Sequence, residues 1–345
     1  MIATERRMKM NLDMLWSDLE IEARQISGAG ILKRLLDSEA ASTMFAGVQA
    51  PSLNRLFLLE APRNLFPSRE QMPELRGFEI TVQLTGEEPD THATFVLSAN
   101  DPIFNEVFSV MVNNLFESLK TCTDERQVMR NFLERLRQWQ EFFQKNNING
   151  LSEESQRGLY GELYLLKNHI LSDQDYYLSG ISGWTGSKNR QHDFQFGDVA
   201  IEVKTCISKQ HQKLLIASEQ QLDNTLVTNL YLYHLSLSVI QSHADTLPAL
   251  VSDVRSMLHS VYGAVVDFES ALLERGYLDI HGHRYQASGY AVREENMFRV
   301  SDGFPRLIES DLPVGVGDLT YSISVTECKR FTVPLNEVIA HIHRN

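Results

Sequence analysis

The sequence predicts an α/β protein in which α-helices pack on a mixed β-sheet. Apolar and polar residues alternate with period two on both sides of Gly197-Asp198, a pattern typical of a β-hairpin. Apolar residues recur at helical spacing over 124–146 and over 152–171. Because predicted strands and helices then follow one another as far as residue 239, a layered α/β fold is indicated.

Composition limits the class of protein. The chain has 345 residues, of which 43% are hydrophobic and 22% charged, as in globular proteins of one or two domains. The net charge of -13 argues against a surface that binds nucleic acid throughout. No apolar run reaches 18 residues, and the three cysteines lack pairing spacings. We therefore expect a cytoplasmic protein with buried, reduced thiols and no membrane contact.

Residues 1–148 are predicted to form an N-terminal α/β domain of unknown role. The polar stretch NNING at 146–150 is its expected end, since Asn and Gly favour turns. The predicted elements of this domain are a helix at 8–25, strands at 53–60, 77–84 and 92–99, and helices near 102–120 and 124–146.

The stretch 192–206, HDFQFGDVAIEVKTC, has the clearest chemical pattern. A two-residue loop at Gly197-Asp198 fixes the register of the hairpin and places Asp193 opposite Glu202. Their Cβ atoms would lie about 5 Å apart, so the two carboxylates would repel each other. One reading is an ordinary hairpin with a solvated, charged face, and the other is a metal site.

A divalent cation between Asp193 and Glu202 would turn this repulsion into ligation. Two carboxylates, the backbone carbonyl of Val203 and water form an oxygen shell that suits Mg²⁺. Lys204 lies on the same face of the hairpin. Its ammonium group could position a water and offset charge on a phosphate.

A helix over 152–171 begins at Ser152, a good N-cap residue. Glu162 lies on the shoulder between its apolar stripe and the solvent. Gly158 lies one turn before this position and Gly161 directly adjoins it, and each glycine costs about 1 kcal/mol of helix stability relative to alanine. We therefore expect another segment to approach this shoulder closely.

The pattern of Asp193, eight intervening residues and Glu202-Val203-Lys204 resembles the active-site motif of the PD-(D/E)XK nuclease superfamily, although His192 stands in place of its Pro. The stretch GLYGELYLLKNHI, which contains Glu162, resembles the first helix of the restriction-endonuclease-like fold, whose Glu completes the metal site. The resemblance implies a core with the element order αβββαβ. That core would occupy 149–240.

The predicted elements of the second half agree with this order. They are the helix at 152–171, a strand near 176–184, the two hairpin strands, an extended piece at 213–217, a helix at 218–224 and a strand at 229–239. Residues 241–345 would form a helical and β-rich C-terminal extension packed on the core, with helices near 246–261 and 264–275.

The resemblance also implies an activity, namely Mg²⁺-dependent hydrolysis of DNA, with Mn²⁺ as a substitute. Its implied catalytic residues are Glu162, Asp193, Glu202 and Lys204, with the three carboxylates as metal ligands. Gln221 and Ser218 would support the site from the following helix. The segment around the hairpin is locally basic, and its candidate phosphate contacts are Lys188, Arg190, Lys209 and Lys213.

Together with 304–307 and 317–321, these motifs resemble one group of uncharacterised bacterial members of the superfamily, over most of the chain. Such proteins tend to occur with restriction or anti-phage genes. The expected partners are DNA, ATPase, helicase or methyltransferase subunits, and a second copy of the chain. An alternative is a catalytically weak DNA-binding or scaffolding subunit, and a further one places the function in the N-terminal region.

Overall fold

The computed structural model describes residues 12–37, 39–68, 71–85, 92–186, 191–241 and 245–344. The chain divides into two compact units, Met1–Ile148 and Asn149–Asn345. No helix in the described ranges is both long and apolar enough to cross a membrane. The predicted helix at 8–25 is present from residue 12, and its first residues lie outside the described ranges.

The first unit contains a five-stranded antiparallel sheet in the order β1-β2-β3-β5-β4. The predicted apolar stripe of its longest helix is buried, and the ring of Phe132 lies 4.6 Å from that of Phe95 on the sheet. The elements are α1 Leu12–Ala23, β1 Gly30–Leu35, β2 Thr43–Ala50, β3 Asn54–Pro62, β4 Phe78–Thr85, β5 His92–Ala99, α2 Asn105–Leu119 and α3 Glu125–Lys145.

The second unit contains a mixed sheet of five strands in the order β12-β10-β9-β7-β6. Strands β7 and β9 are parallel, and the other neighbours are antiparallel. The strands of this unit are β6 Phe194–Phe196, β7 Val199–Cys206, β8 Lys213–Ile216, β9 Asn229–Gln241, β10 Ser288–Arg299, β11 Tyr321–Ser324 and β12 Thr332–Val333. Its helices are α4 Glu153–Leu165, α5 Tyr177–Gly183, α6 Leu247–Leu258, α7 Tyr262–Glu274, α8 Gly282–Tyr285, α9 Val325–Cys328 and α10 Leu335–Ile342.

Both faces of this sheet are covered. On one face, Val203 of β7 and Tyr233 of β9 share a core with apolar residues of α4, α6, α7 and α10. On the other, Ala200 and Leu232 pack with residues of the separate two-stranded sheet of β8 and β11. Burial on both sides explains why β9 reads as a nearly continuous apolar run. The fold of the described residues is α+β, with one mixed sheet and two antiparallel sheets, consistent with the predicted PD-(D/E)XK-like domain.

Two predicted elements were wrong in detail. The strand near 176–184 is the helix α5, preceded by a 3-10 turn at Gln174–Tyr176. Tyr177, Ile181 and Trp184 lie four and three residues apart, which is helical spacing. Only Trp184 pairs with the hairpin, through one bridge to Phe194. The predicted helix at 218–224 is a single 3-10 turn, Glu219–Leu222.

The predicted C-terminal extension contributes directly to the main sheet. Strand β10 pairs with β9 over eleven residue pairs, with a β-bulge between Val292 and Glu294. Helix α7, from the same part of the chain, packs against α5 and α6. Residues beyond 241 therefore help to build the layer of helices that carries Glu162.

Candidate active site

The hairpin has the predicted register. Phe194 lies opposite Ile201, and Phe196 lies opposite Val199. Gly197, with a φ of 55°, adopts the left-handed conformation that a two-residue hairpin loop requires. The predicted inward side chains of both strands pack in the core beneath α4. The backbone ladder ends at Phe194, so Asp193 lies one residue beyond it.

Asp193 is held by three backbone amides and one side chain. Its Oδ2 accepts a hydrogen bond from the N–H of Val203 at 2.8 Å. Its backbone carbonyl accepts hydrogen bonds from the amides of Thr185 and Gly186, at 2.8 and 2.9 Å. Arg275 Nη2 donates to Oδ1 at 2.7 Å. These contacts fix the carboxylate at the edge of the sheet, where the 184–186 segment meets the hairpin.

Glu202 and Lys204 extend from the face of β7 opposite α4. Glu202 is 2% exposed, and its Oε1 lies 3.0 Å from Nζ of Lys204. The same nitrogen donates to Oε1 of Gln221 at 2.9 Å. That amide oxygen also accepts a hydrogen bond from the backbone N–H of Ala217. Gln221 therefore links the ammonium group of Lys204 to the backbone of Ala217.

Glu162 lies on α4 and is buried, with 6% exposure. Its Oε2 accepts a hydrogen bond from Nε1 of Trp184 at 2.7 Å. The guanidinium group of Arg275 forms an ion pair with the same oxygen. The predicted shoulder position is thus a buried site whose carboxylate is directed at the hairpin edge, where Asp193 accepts from the same Arg275 nitrogen.

One of the two glycines on α4 has the close approach that was predicted. A Cβ on Gly161 would lie 2.4 Å from Cγ2 of Thr205 and 3.3 Å from Cγ1 of Val203. Glycine at 161 therefore lets α4 contact β7. A Cβ on Gly158 would meet nothing within 4 Å, so the prediction of a close approach there was wrong.

Sequence reasoning missed Arg275. This residue caps the C-terminal end of α7, and its backbone N–H donates to the carbonyl of Ala271. An Arg followed by Gly276 is also what an ordinary helix C-terminus looks like. The local sequence therefore carried no signal of a site residue, and only the packing of α7 brings the guanidinium group to Asp193.

Burial and crowding shift the ionisation of the carboxylates. Burial raises the pKa of Glu162 to about 7; Arg275 opposes this change, and Asp193 adds to it. Burial raises the pKa of Glu202 to about 8, with a further rise from Asp193 and an opposing effect from Lys204. Burial disfavours the charge of Arg275, yet Glu162 and Asp193 hold its pKa above the ordinary value. The cluster thus has more carboxylates than its two cations neutralise.

The donor set fits a hard divalent cation at Asp193 and Glu202. A carboxylate oxygen has two lone pairs, so Asp193 can keep its bond to Val203 and still bind an ion. Among the described residues, no group of three or more His, Cys, Asp or Glu side chains is arranged to hold one metal ion. Glu162 lies on the α4 side of β7 and Glu202 lies on the opposite side, so these two carboxylates do not converge with Asp193 on one point.

Three further predicted site residues, Ser218, Lys209 and Lys213, lie in the described part of the chain. Ser218 caps the 3-10 turn that carries Gln221, so it supports the site only indirectly. Lys209 and Lys213 are exposed, the first in a loop and the second at the start of β8. Lys188 and Arg190 lie outside the described residues.

A comparison with protein families gives one match. The family model described as "Putative PD-(D/E)XK family member, (DUF4420)" matches residues 12–326 of the 345. No curated protein and no solved structure matches the chain. The matched range covers most of both units and includes the hairpin, α4 and Arg275. The chain therefore belongs to this PD-(D/E)XK family.

Proposed function

We propose that this protein is a metal-dependent nuclease that hydrolyses phosphodiester bonds in DNA. The observation that carries the proposal is the joining of Asp193, Glu202 and Lys204 at one hairpin, with Lys204 held between Glu202 and Gln221. Family membership supports a nuclease-like fold. An ordinary surface hairpin has no need for a 2%-exposed Glu202.

Asp193 and Glu202 would hold Mg²⁺, or Mn²⁺ in its place, together with the carbonyl of Val203. Such an ion supplies Lewis acidity at the phosphate and lowers the pKa of a water molecule. The protein groups do the positioning. Lys204, fixed by Gln221 at 2.9 Å, would hold the attacking water and offset the charge that develops on the phosphate.

The biological setting is part of the same proposal. We infer a role in a bacterial restriction or anti-phage system, from the family resemblance alone. Partner subunits with ATPase, helicase or methyltransferase activity would then select the DNA. A homodimer would let two sites cut both strands.

The test uses the purified full chain with supercoiled and linear duplex DNA, single-stranded DNA and RNA. Each substrate is incubated with Mg²⁺, Mn²⁺, Ca²⁺ or EDTA. We expect cleavage of DNA with Mg²⁺ or Mn²⁺, and its loss in Asp193→Asn and Glu202→Gln. Lys33→Met, a change at an exposed lysine on β1 that was given no role in the site, is the matched control. The proposal fails if no DNA form is cut and no divalent ion binds.

A second candidate is a DNA-binding or scaffolding subunit with little catalysis. It is favoured by one observation, since Arg275 already pairs with Glu162 and Asp193 and so reduces their need for a metal. In that case DNA binding would persist in Asp193→Asn and Glu202→Gln, and calorimetry would detect no Mn²⁺ binding to the native protein.

A further inference from the structure

Arg275 brings a fixed positive charge into the acidic cluster. Its Nη2 forms ion pairs with Oε2 of Glu162 and with Oδ1 of Asp193, the second at 2.7 Å. The side chain is only 21% exposed, so water screens these contacts weakly. A guanidinium group that contacts two carboxylates offsets one of their two negative charges and fixes their separation. A second divalent ion at the same place would likewise hold the two carboxylates together.

The neighbouring segment fits closely around this ion pair. A Cβ on Gly186 would lie 2.3 Å from Nη2 of Arg275 and 2.7 Å from Oδ1 of Asp193. Trp184 donates from Nε1 to the oxygen of Glu162 that Arg275 contacts. Arg275 also lies at the C-terminal end of α7, where the helix dipole favours a cation. The guanidinium group is therefore built into the site rather than resting on its surface.

The charges of the cluster limit how many ions it needs. Lys204 pairs with Glu202, and Arg275 pairs with Glu162 and Asp193. Three carboxylates facing two cations leave one negative charge when all are ionised. One divalent ion more than balances it and leaves the site positive, as an anionic phosphate requires. A second ion would have to compete with Arg275 for the same carboxylate oxygens.

We infer that Arg275 takes the place of a second metal ion, so that the site works with a single divalent ion at Asp193 and Glu202. Glu162 then acts through Arg275 and is not itself a ligand. Arg275 is a positioning residue, because it contacts the carboxylates and no reacting atom. The inference rests on the nuclease function proposed above.

The test counts bound ions in the full chain by calorimetry with Mn²⁺, and by the electron paramagnetic resonance spectrum at saturation. We expect one isolated Mn²⁺ per chain in the native protein. Arg275→Met vacates the position between Glu162 and Asp193, so a second, spin-coupled Mn²⁺ should bind. Arg275→Lys keeps a cation and should keep one ion. The double variant Arg275→Met, Glu162→Gln also removes the carboxylate that had lost its ion pair with Arg275, so it should bind one ion again.

Two coupled ions in the native protein would overturn the inference, and so would a folded Arg275→Met protein that still binds one ion. If circular dichroism shows that Arg275→Met does not fold, the number of Mn²⁺ ions in the native spectrum tests the inference by itself. Native protein that binds no Mn²⁺ refutes the proposed function itself, and the inference with it. A merely structural role for Arg275 would change the melting temperature and leave the number of ions at one.

Discussion

Nη2 of Arg275 lies 2.7 Å from Oδ1 of Asp193, across 82 residues of sequence. The contact joins the end of α7 to the edge of the hairpin, so the helical part of the unit is a component of the site. The same nitrogen contacts Glu162 on α4. Packing of α7 therefore controls the geometry of two acidic residues that the hairpin and α4 supply.

Replacement of Lys204 by Met should abolish most cleavage and preserve DNA binding. Lys204 is the cation held between Glu202 and Gln221, at 3.0 and 2.9 Å. Loss of one such preorganised donor costs about 10²–10³-fold in rate. Single-turnover cleavage of labelled duplex DNA measures the effect, and Lys33→Met, at an exposed lysine on β1, is its control. Cleavage by Lys204→Met within tenfold of the native rate would contradict the role given to this ammonium group.

Gly161→Ala should destabilise the second unit, whereas Gly158→Ala should not. The new methyl group at 161 would lie 2.4 Å from Cγ2 of Thr205, which forces α4 away from β7. We expect a loss of about 1–3 kcal/mol. At Gly158 nothing lies within 4 Å, so alanine should stabilise the helix by about 0.4–1 kcal/mol.

Urea unfolding of the full chain measures both free energies. Thr205→Ser removes the methyl group that Gly161→Ala would strike, so the double variant should recover part of the loss. If Gly161→Ala is as stable as Gly158→Ala, the helix does not contact the strand as closely as the structure indicates.

Without a divalent ion, stability should fall as the pH rises above 6.5. Burial raises the pKa of Glu202 from 4.5 to about 8, so the folded state retains a proton that the unfolded state has released. Stability from this group is full below pH 4.5 and is lost as the pH rises towards 8. Glu162, whose pKa is raised to about 7, acts in the same direction. Burial lowers the pKa of His234 from 6.5 to about 4, so its contribution changes below this window.

Thermal unfolding in EDTA from pH 6.5 to 9 measures this slope. We expect a total loss of about 2 kcal/mol in the native protein. Glu202→Gln should reduce the slope and raise the melting temperature at pH 8, because it removes a buried charge. Glu337→Gln, at an exposed residue of α10, is the matched control. An unchanged slope in Glu202→Gln would show that this carboxylate is solvated.

Local sequence signals predicted the hairpin and a place for Glu162 at the shoulder of the apolar stripe of α4, although the structure buries this side chain. The Gly197-Asp198 loop determines which residues pair, and helical periodicity directs Glu162 to the hairpin side of α4. The segment around Ile181 was misread as a strand, because a short apolar run suits a strand and a helix equally. In the first unit, β2 was not predicted, since Phe45 and Gly47 on its more exposed face interrupt the alternation of polar and apolar residues.

Arg275 could not be predicted for a different reason. Its partners lie on α4 and at the hairpin edge, and no periodic pattern links α7 to either of them. Gly186 could not be predicted either, because the need for a glycine at this position arises only from the Arg275 guanidinium group that packs against it. Both residues depend on tertiary packing, whereas the motif around Glu202 and Lys204 depends on neighbours in sequence.

Gly186→Ala tests that packing directly. The added methyl group would lie 2.3 Å from Nη2 of Arg275 and 2.7 Å from Oδ1 of Asp193, so the two side chains must separate. Because Asp193 is the proposed metal ligand, Mn²⁺ affinity should fall about 10–100-fold, as when a group that orients a ligand is lost. Calorimetry measures the affinity. Gly317→Ala, where a methyl group meets nothing within 4 Å, should bind Mn²⁺ as the native protein does. Native affinity in Gly186→Ala would mean that Arg275 does not position Asp193 for the ion.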